Sequence, residues 1–272
     1  MEFEKTIRLE IVMQIDINKY IEEWIKGINP EIRFWSNWLK TKGGRWPDDY
    51  AYRTQIAPSF ALHKELEGKI SISWPPKVLD VGSGPISRLG IATEQGNVDL
   101  HACDPLAPFY QQLFKEHNIT PYIVPEFAYS EALTDKYEPC SFDIVHMSNA
   151  LDHSFMPLAG IMSMLQVVKV EGIVYLVHAE NEAENENYSG FHQWNITGND
   201  NTLNIWRKEI HIDVSKKIEK FAEVDVKRIS GKGQNKDSII AILTKKTEVP
   251  FQSNVFKNTF DSELLKKLVT LY

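Results

Sequence analysis

The sequence predicts an α/β protein built on a mainly parallel, seven-stranded sheet, with an N-terminal strand-plus-helical appendage and a C-terminal helix. Three observations lead there. Short apolar runs alternate with helix-period segments between Lys77 and Lys245, as in successive βα units. The run at Val78–Val81 breaks into a Gly-Ser-Gly turn at residues 82–84, at the strand end where open α/β sheets bind ligands. The composition is that of an ordinary globular chain: 272 residues, 43% hydrophobic and 25% charged, enough for one such domain and an appendage.

Taken in order, Thr6–Asp16 sets Ile7, Leu9, Ile11, Met13 and Ile15 on one side at a period of two, a strand. From Ile17 to Ile28 the period changes. Tyr20, Ile21, Trp24, Ile25 and Ile28 share a helix face, and Gly27 and Pro30 mark its end. Five of the seven tryptophans precede residue 75; Phe34, Trp35 and Trp38 read as helix core. Trp46 sits beside Gly43, Gly44 and Pro47 in a loop, where an aromatic can face a ligand. The nearby cations Lys40, Lys42, Arg45 and Arg53 read either as a solvated face or as a hold on an anionic substrate.

Strands follow at Val78–Val81, Val98–Asp104, Pro121–Val124, Phe142–Met147, Gly172–His178, Val224–Ile229 and Ser238–Leu243. Helical patterns fall at Pro85–Gln95, Ile161–Val168 and Lys216–Phe221. The Gly/Asn-rich run TGNDNT between Trp194 and Trp206 predicts a hairpin inserted ahead of the last of these. The chain thus divides into 1–76, 77–246 with the hairpin near 191–210, and a tail at 247–272. In the tail, Leu264, Leu265, Leu268 and Leu271 give an amphipathic helix for packing or homo-oligomer contact.

A net charge of −7 opposes an extended nucleic-acid surface, because phosphates would be repelled. No apolar run is long enough to span a bilayer, and MEFEKTIRLE lacks a signal-peptide pattern. Cys103 and Cys140 show no metal spacing, so a cytoplasmic enzyme without a metal is expected.

Gly82 and Gly84 let the backbone approach a ligand where a Cβ would collide. A dinucleotide site wants a third glycine, and Ser87 stands there. Asp80, just before the turn, repels a diphosphate and favours a cation. Asp104, 24 residues further on, ends the second strand, placed to accept a ribose diol or to cap a helix opened by Pro105. Asp80, Gly82 and Gly84 match D/E-x-G-x-G, and the segment resembles motif I of class I S-adenosylmethionine-dependent methyltransferases. The resemblance implies a Rossmann-like sheet ending in a strand hairpin. It also implies S-adenosylmethionine held by Asp80, Gly82, Ser83, Gly84 and Asp104, with Tyr129, Ser130 and Asn149 at neighbouring strand ends. The family often has an Asp near the adenine, where this chain reads Ala128, Tyr129, Ser130, Glu131.

NALDHS, the Glu/Asn-rich loop, GFHQWN and the early FW–W–KGG–WP–DY pattern resemble methyltransferases of bacterial surface-polysaccharide biosynthesis. That implies O-methylation of a sugar or glycan hydroxyl. Transfer to a hydroxyl needs alignment and loss of a proton, and a neutral imidazole suits the second task. His153, close after the fourth strand, is the leading base, with Asp152 to orient it; His178 and His192 are the other candidates. Trp46, Glu180, His192 and Trp194 are candidate acceptor contacts, and His146 reads as a core histidine. Glu182, Glu184 and Glu186 read as a solvated loop. Ligation of a divalent ion by this acidic loop with Asp152 and His153 is disfavoured, because no compact ligand spacing is visible. A short-chain NAD(P) oxidoreductase is opposed by the lack of any Tyr-x-x-x-Lys pair. A methyltransferase for another small hydroxylated metabolite and a non-catalytic binding subunit are the remaining alternatives.

Overall fold

The computed structural model describes residues 17–62, 74–208, 210–231 and 236–250; the strand expected at Thr6–Asp16 and the helix expected near Leu264–Leu271 lie outside them. The core is a six-stranded sheet. Four strands are parallel neighbours: β4 (Asp99–Cys103), β1 (Lys77–Val81), β5 (Phe142–Ser148) and β6 (Val168–Ala179). Next to β6 come β11 (Ser238–Lys245) and then β10 (Ala222–Ile229), both pairing antiparallel, the terminal hairpin the sequence predicts. β1 lies between β4 and β5, so the chain direction across the sheet reverses at its carboxyl end. Open sheets split there into a ligand crevice.

The seventh strand is not formed among the described residues. Pro121–Val124 joins no ladder, and only a single bridge links Glu126 to Cys103. Pro121 and Pro125 remove two ladder donors. Tyr122 instead works as a strut, its hydroxyl donating to the Ser87 carbonyl at 2.8 Å and accepting from Gly90 N–H at 3.0 Å. The same strut explains a second departure. Pro85–Gln95 is not helical but an irregular turn and a two-residue-arm hairpin, β2 (Ala92–Thr93) with β3 (Gly96–Asn97). Backbone groups that a helix would pair internally are claimed from outside. Arg53 donates to the Ile86 carbonyl at 2.9 Å, and Ile91 N–H donates to Pro58.

Helix α1 (Ile17–Lys40) passes through Pro30 and runs a further three turns beyond the expected end at Ile28. The hydrogen bond lost at Pro30 is outweighed by burial of Trp38 and Leu39, which join Ile21, Trp24 and Ile28 against α2 (Ala107–His117). The expected helix near Lys216 is the short α3 (Val214–Ile218). Ahead of it, β7 (Asn195–Asn199), β8 (Thr202–Arg207) and β9 (Ile210–Asp213) form a separate antiparallel sheet around the predicted turn. Arg207, buried on β8, pairs with Glu23 of α1 at 2.6 Å and lies over the Tyr20 ring. The insertion is thereby fixed to the N-terminal helix. Helix α1 roofs the carboxyl edge of the parallel strands, while Ile196, Leu203 and Ile205 of the insertion pack in the main core with Val226 and Ile239 of the terminal hairpin.

Candidate functional site

A cavity of about 1130 Å³ opens at that edge. Its floor is the ends of β1, β4 and β5, and α1 supplies a wall with Trp24, Glu31, Phe34 and Trp35. Phe34 is therefore not the core residue its spacing predicts: it is 43% exposed on the cleft. Trp38 is buried as expected and Trp46 stands exposed at the rim. Arg53 is neither a solvated charge nor an open anion hold. It is buried between Trp35 and Trp38 and paired with Asp49 at 2.9 Å.

At one end of the cleft the glycine turn is built as a cradle. Gly82 and Gly84 have φ of +66° and +65°, a region that side chains avoid. A Cβ on Gly84 would lie 2.8 Å from the Trp35 ring, and one on Gly82 would lie 2.6 Å from Ala150. Gly82 and Ser83 donate their N–H groups to the Cys103 carbonyl, tying the turn to β4. Asp104 accepts from Gly84 N–H at 2.9 Å and Leu106 N–H at 2.8 Å. Burial pushes its carboxyl up to about 7, outweighing those donors.

Asp80 is committed within the protein: one oxygen contacts His146 Nδ1 at 2.7 Å and the other accepts from Ser87 at 2.6 Å. It faces the cleft as a buried carboxyl whose oxygens already have protein partners. His146, stacked on Tyr175, is the buried histidine the sequence predicts.

Tyr129 and Ser130 also line this half, together with Glu131. Burial pushes Glu131 up to about 7 despite bonds from Met156 N–H and the Ser130 hydroxyl. Glu131 was legible only as a neighbour of the expected adenine position. Asn149, at the end of β5, has φ +46° and accepts from Ala179 N–H at 3.0 Å through Oδ1.

At the other end stand Asp152, His153 and His192, on the turn after β5 and on the loop before β7. Asp152 is buried, and its Oδ2 lies 2.8 Å from His192 Nδ1 but 3.5 Å from His153 Nε2. The carboxylate therefore engages the histidine 40 residues away more closely than its neighbour in sequence. His153 Nε2 is 3.1 Å from the same His192 nitrogen. Burial would raise Asp152, but the charges of His153 and His192 and the bond to His192 hold it below the usual carboxylate range. Burial opposes the charged form of His192, yet the bond and charge of Asp152 raise it.

Three expected contacts are elsewhere. His178 is 1% exposed on β6 and does not line the cleft; burial pushes it down to about 4, so it meets no acceptor. Glu180 does not line the cleft either, and forms an ion pair with Arg228 at 2.7 Å. Trp194 is 1% exposed and packs against Tyr20 in the main core, away from any sugar face. Glu182 and Glu186, read as solvated, line the mouth and share Lys236 at 3.0 and 2.7 Å. Glu184 alone of the three is exposed and off the cleft.

No family model and no curated protein matches the chain. Among solved structures, it is similar to the T. thermophilus 16S rRNA N2 methyltransferase RsmC, at 11% identity and TM-score 0.39 over 70% of this chain and 40% of that one. It is also similar to the N-methyltransferase NodS of Bradyrhizobium japonicum, at 11% identity and TM-score 0.40 over 64% and 79% of the two chains. With the trans-methyltransferase CalH the figures are 10% identity and TM-score 0.45 over 62% and 51%. The chain thus spans less than half of the first of these.

Proposed function

We propose that this chain is a class I-type S-adenosylmethionine-dependent methyltransferase acting on a hydroxyl of a sugar or glycan acceptor. The cofactor assignment is carried by the irregular segment behind the glycine turn. A dinucleotide's diphosphate needs a helix N-terminus there, and Pro85–Gln95 supplies none. It would instead face the carboxyls of Asp80 and Asp104. A cationic sulfonium with an ammonium group suits that field, and a ribose diol suits Asp104. Glu131 and Tyr129, which line the same half, would serve the adenine, the first as an acceptor for its amine and the second as a ring face. Ser83, Ser130 and Asn149 complete that end.

The cavity exceeds what the cofactor alone would fill, and its other end holds Asp152, His153 and His192. There the acceptor oxygen uses a lone pair to form the new C–O bond as the S–CH₃ bond breaks, its electron pair going to sulfur. The hydroxyl proton must also leave, so the imidazole–carboxylate cluster is where activation belongs, with His153 or His192 as the base where a ring nitrogen is free to accept it. Phe34, Trp35 and Trp46 offer apolar ring faces of the kind that pack on sugars. The motif resemblance points to polysaccharide of the O-antigen or capsule type. Acceptor residues therefore come from α1 and the loop before β7.

Calorimetry with S-adenosylmethionine, S-adenosylhomocysteine and NADH tests the cofactor. Saturable binding of the first two and none of NADH is expected; NADH binding alone would end this reading, and binding of none would favour a non-catalytic subunit. A labelled-methyl screen over sugars, sugar acids and glycan fragments tests the acceptor, with other small hydroxylated metabolites as the competing outcome.

A further inference from the structure

We propose that Asp152, His153 and His192 bind a divalent transition-metal ion in the acceptor half of the cleft. Oδ2 of Asp152, Nε2 of His153 and Nδ1 of His192 form a triangle with sides of 2.8, 3.1 and 3.5 Å. A point lying about 2.1 Å from all three exists roughly 1 Å above their plane, the bond length expected for nitrogen and oxygen ligands of such ions. Sides of this size are those of one face of an octahedron or tetrahedron around the ion. Hydrogen bonding alone fits the triangle poorly. A single N–H on His192 that serves Asp152 leaves the His153 nitrogen facing a second ring nitrogen, whereas a cation satisfies all three lone pairs together.

Two imidazoles and one carboxylate make a mixed set that favours zinc, iron, manganese, cobalt or nickel over calcium or magnesium. The support is equally specific. Gln193 N–H donates to the Asp152 carbonyl at 3.1 Å, locking the segment that carries His192 to the one that carries the carboxylate. The Phe191 ring packs 5.5 Å from the His153 ring, holding it in place. His153 and His192 line the cavity, so the ion's open positions face the acceptor.

As a deepening of the proposed methyl transfer, on which it rests, the ion would bind the acceptor hydroxyl oxygen and lower its pKa. The O–H bond breaks with its proton passing to water at the open mouth, and the oxygen pair then attacks the methyl carbon. Both cluster nitrogens serve as ligands and neither carries the proton.

The test uses tag-free full-length protein stripped with chelator and titrated with Co²⁺ and Mn²⁺, followed by calorimetry and by the visible bands of Co²⁺. One equivalent should bind. His192→Ala and His153→Ala, each checked for folding by circular dichroism, should each weaken binding about tenfold to hundredfold. Asp152→Asn, which keeps the side-chain shape, should do the same. Absence of saturable binding, or unchanged affinity in folded His192→Ala, overturns the site. S-adenosylmethionine is titrated into the same stripped protein. Cofactor binding without metal binding removes the ion and leaves a free imidazole base. Metal binding without cofactor binding upholds the ion and refutes the methyltransferase reading.

Discussion

Lowering the pH should loosen the cofactor, and the size of the effect can be worked from two buried carboxyls. Asp104 and Glu131 stand at about 7 in the cofactor-free protein because burial penalises their charge. A ribose hydroxyl and an adenine amine are donors, so both carboxyls must be ionised to receive them. At pH 6 a group with pKa 7 is ionised in about one molecule in eleven, and at pH 7.5 in about three of four. Each group then lowers affinity by a factor of about 8 between pH 7.5 and 6. Together the two give about 70-fold, or roughly 2.5 kcal/mol. Binding at pH 6 should release close to two protons, which calorimetry in two buffers of different ionisation enthalpy counts directly. In Asp104→Asn one of the two steps vanishes, so affinity should fall overall while its pH dependence shrinks to about 8-fold. The sign for stability is the reverse of the usual carboxylate case. With the folded values raised above the unfolded ones, these groups favour the fold most below about pH 4, and that contribution is lost as pH rises through 7. Cofactor affinity that is flat, or that improves as pH falls from 7.5 to 6, would refute the assignment of these carboxyls to the cofactor.

Gly84→Ala places a Cβ 2.8 Å from Trp35 at φ +65°, so it should cost about 1–2 kcal/mol from backbone conformation alone and abolish measurable S-adenosylmethionine binding; thermal melts and calorimetry read the two effects. Arg207→Ala leaves Glu23 without its partner between α1 and β8 and should lower stability by about 2 kcal/mol, less than for a fully buried pair because Glu23 is partly exposed; urea unfolding measures it. Trp46→Ala should raise KM for the acceptor several-fold with cofactor affinity unchanged, as expected for an exposed ring at the rim; steady-state kinetics on the methylated acceptor decide it.

Sequence made the sheet legible because its strands are short, β-branched and bounded by turns. Val78–Val81, Phe142–Met147 and Gly172–His178 all lie within observed strands. It misled where remote partners overrule a local pattern. Ile86 and Leu89 have helical spacing, yet Arg53, Pro58 and Tyr122 take the backbone groups that a helix would need. Pro30 reads as a helix end, and only the burial of Trp38 and Leu39 beyond it carries the helix onward. Asp80, Asp104 and the glycines were legible as cleft residues because strand-end placement is local. The pairing of Asp152 with His192 was not, since no spacing rule joins residues 40 positions apart. Trp194 and His178 show the same gap from the other side: a residue type suited to a site is not placed there by its chemistry, but by which face of its strand meets the core.

The two halves of the cleft are held in register by one helix. Trp35 of α1 occupies the space that a Gly84 side chain would need, so the helix presses on the glycine turn. One face and two turns earlier, Gly27 leaves room for Phe191, whose ring a Cβ there would overlap, and Trp24 stacks on the same ring at 5.1 Å. Phe191 directly precedes His192 and packs on His153. The stretch of α1 from Trp24 to Trp35, about 16 Å long, thus braces both the glycine turn and the loop that carries His192, alongside the close approach of Gly82 to Ala150. The proposed methyl transfer would depend on the spacing of these two loops, because donor carbon and acceptor oxygen must meet in line at close range. The turns after β1 and β5 are irregular, with Gly82, Gly84 and Asn149 all at positive φ. The dense aromatic run of the N-terminal segment is explained on this basis. Its tryptophans are the rigid, large-area contacts through which a helix can position two loops at once.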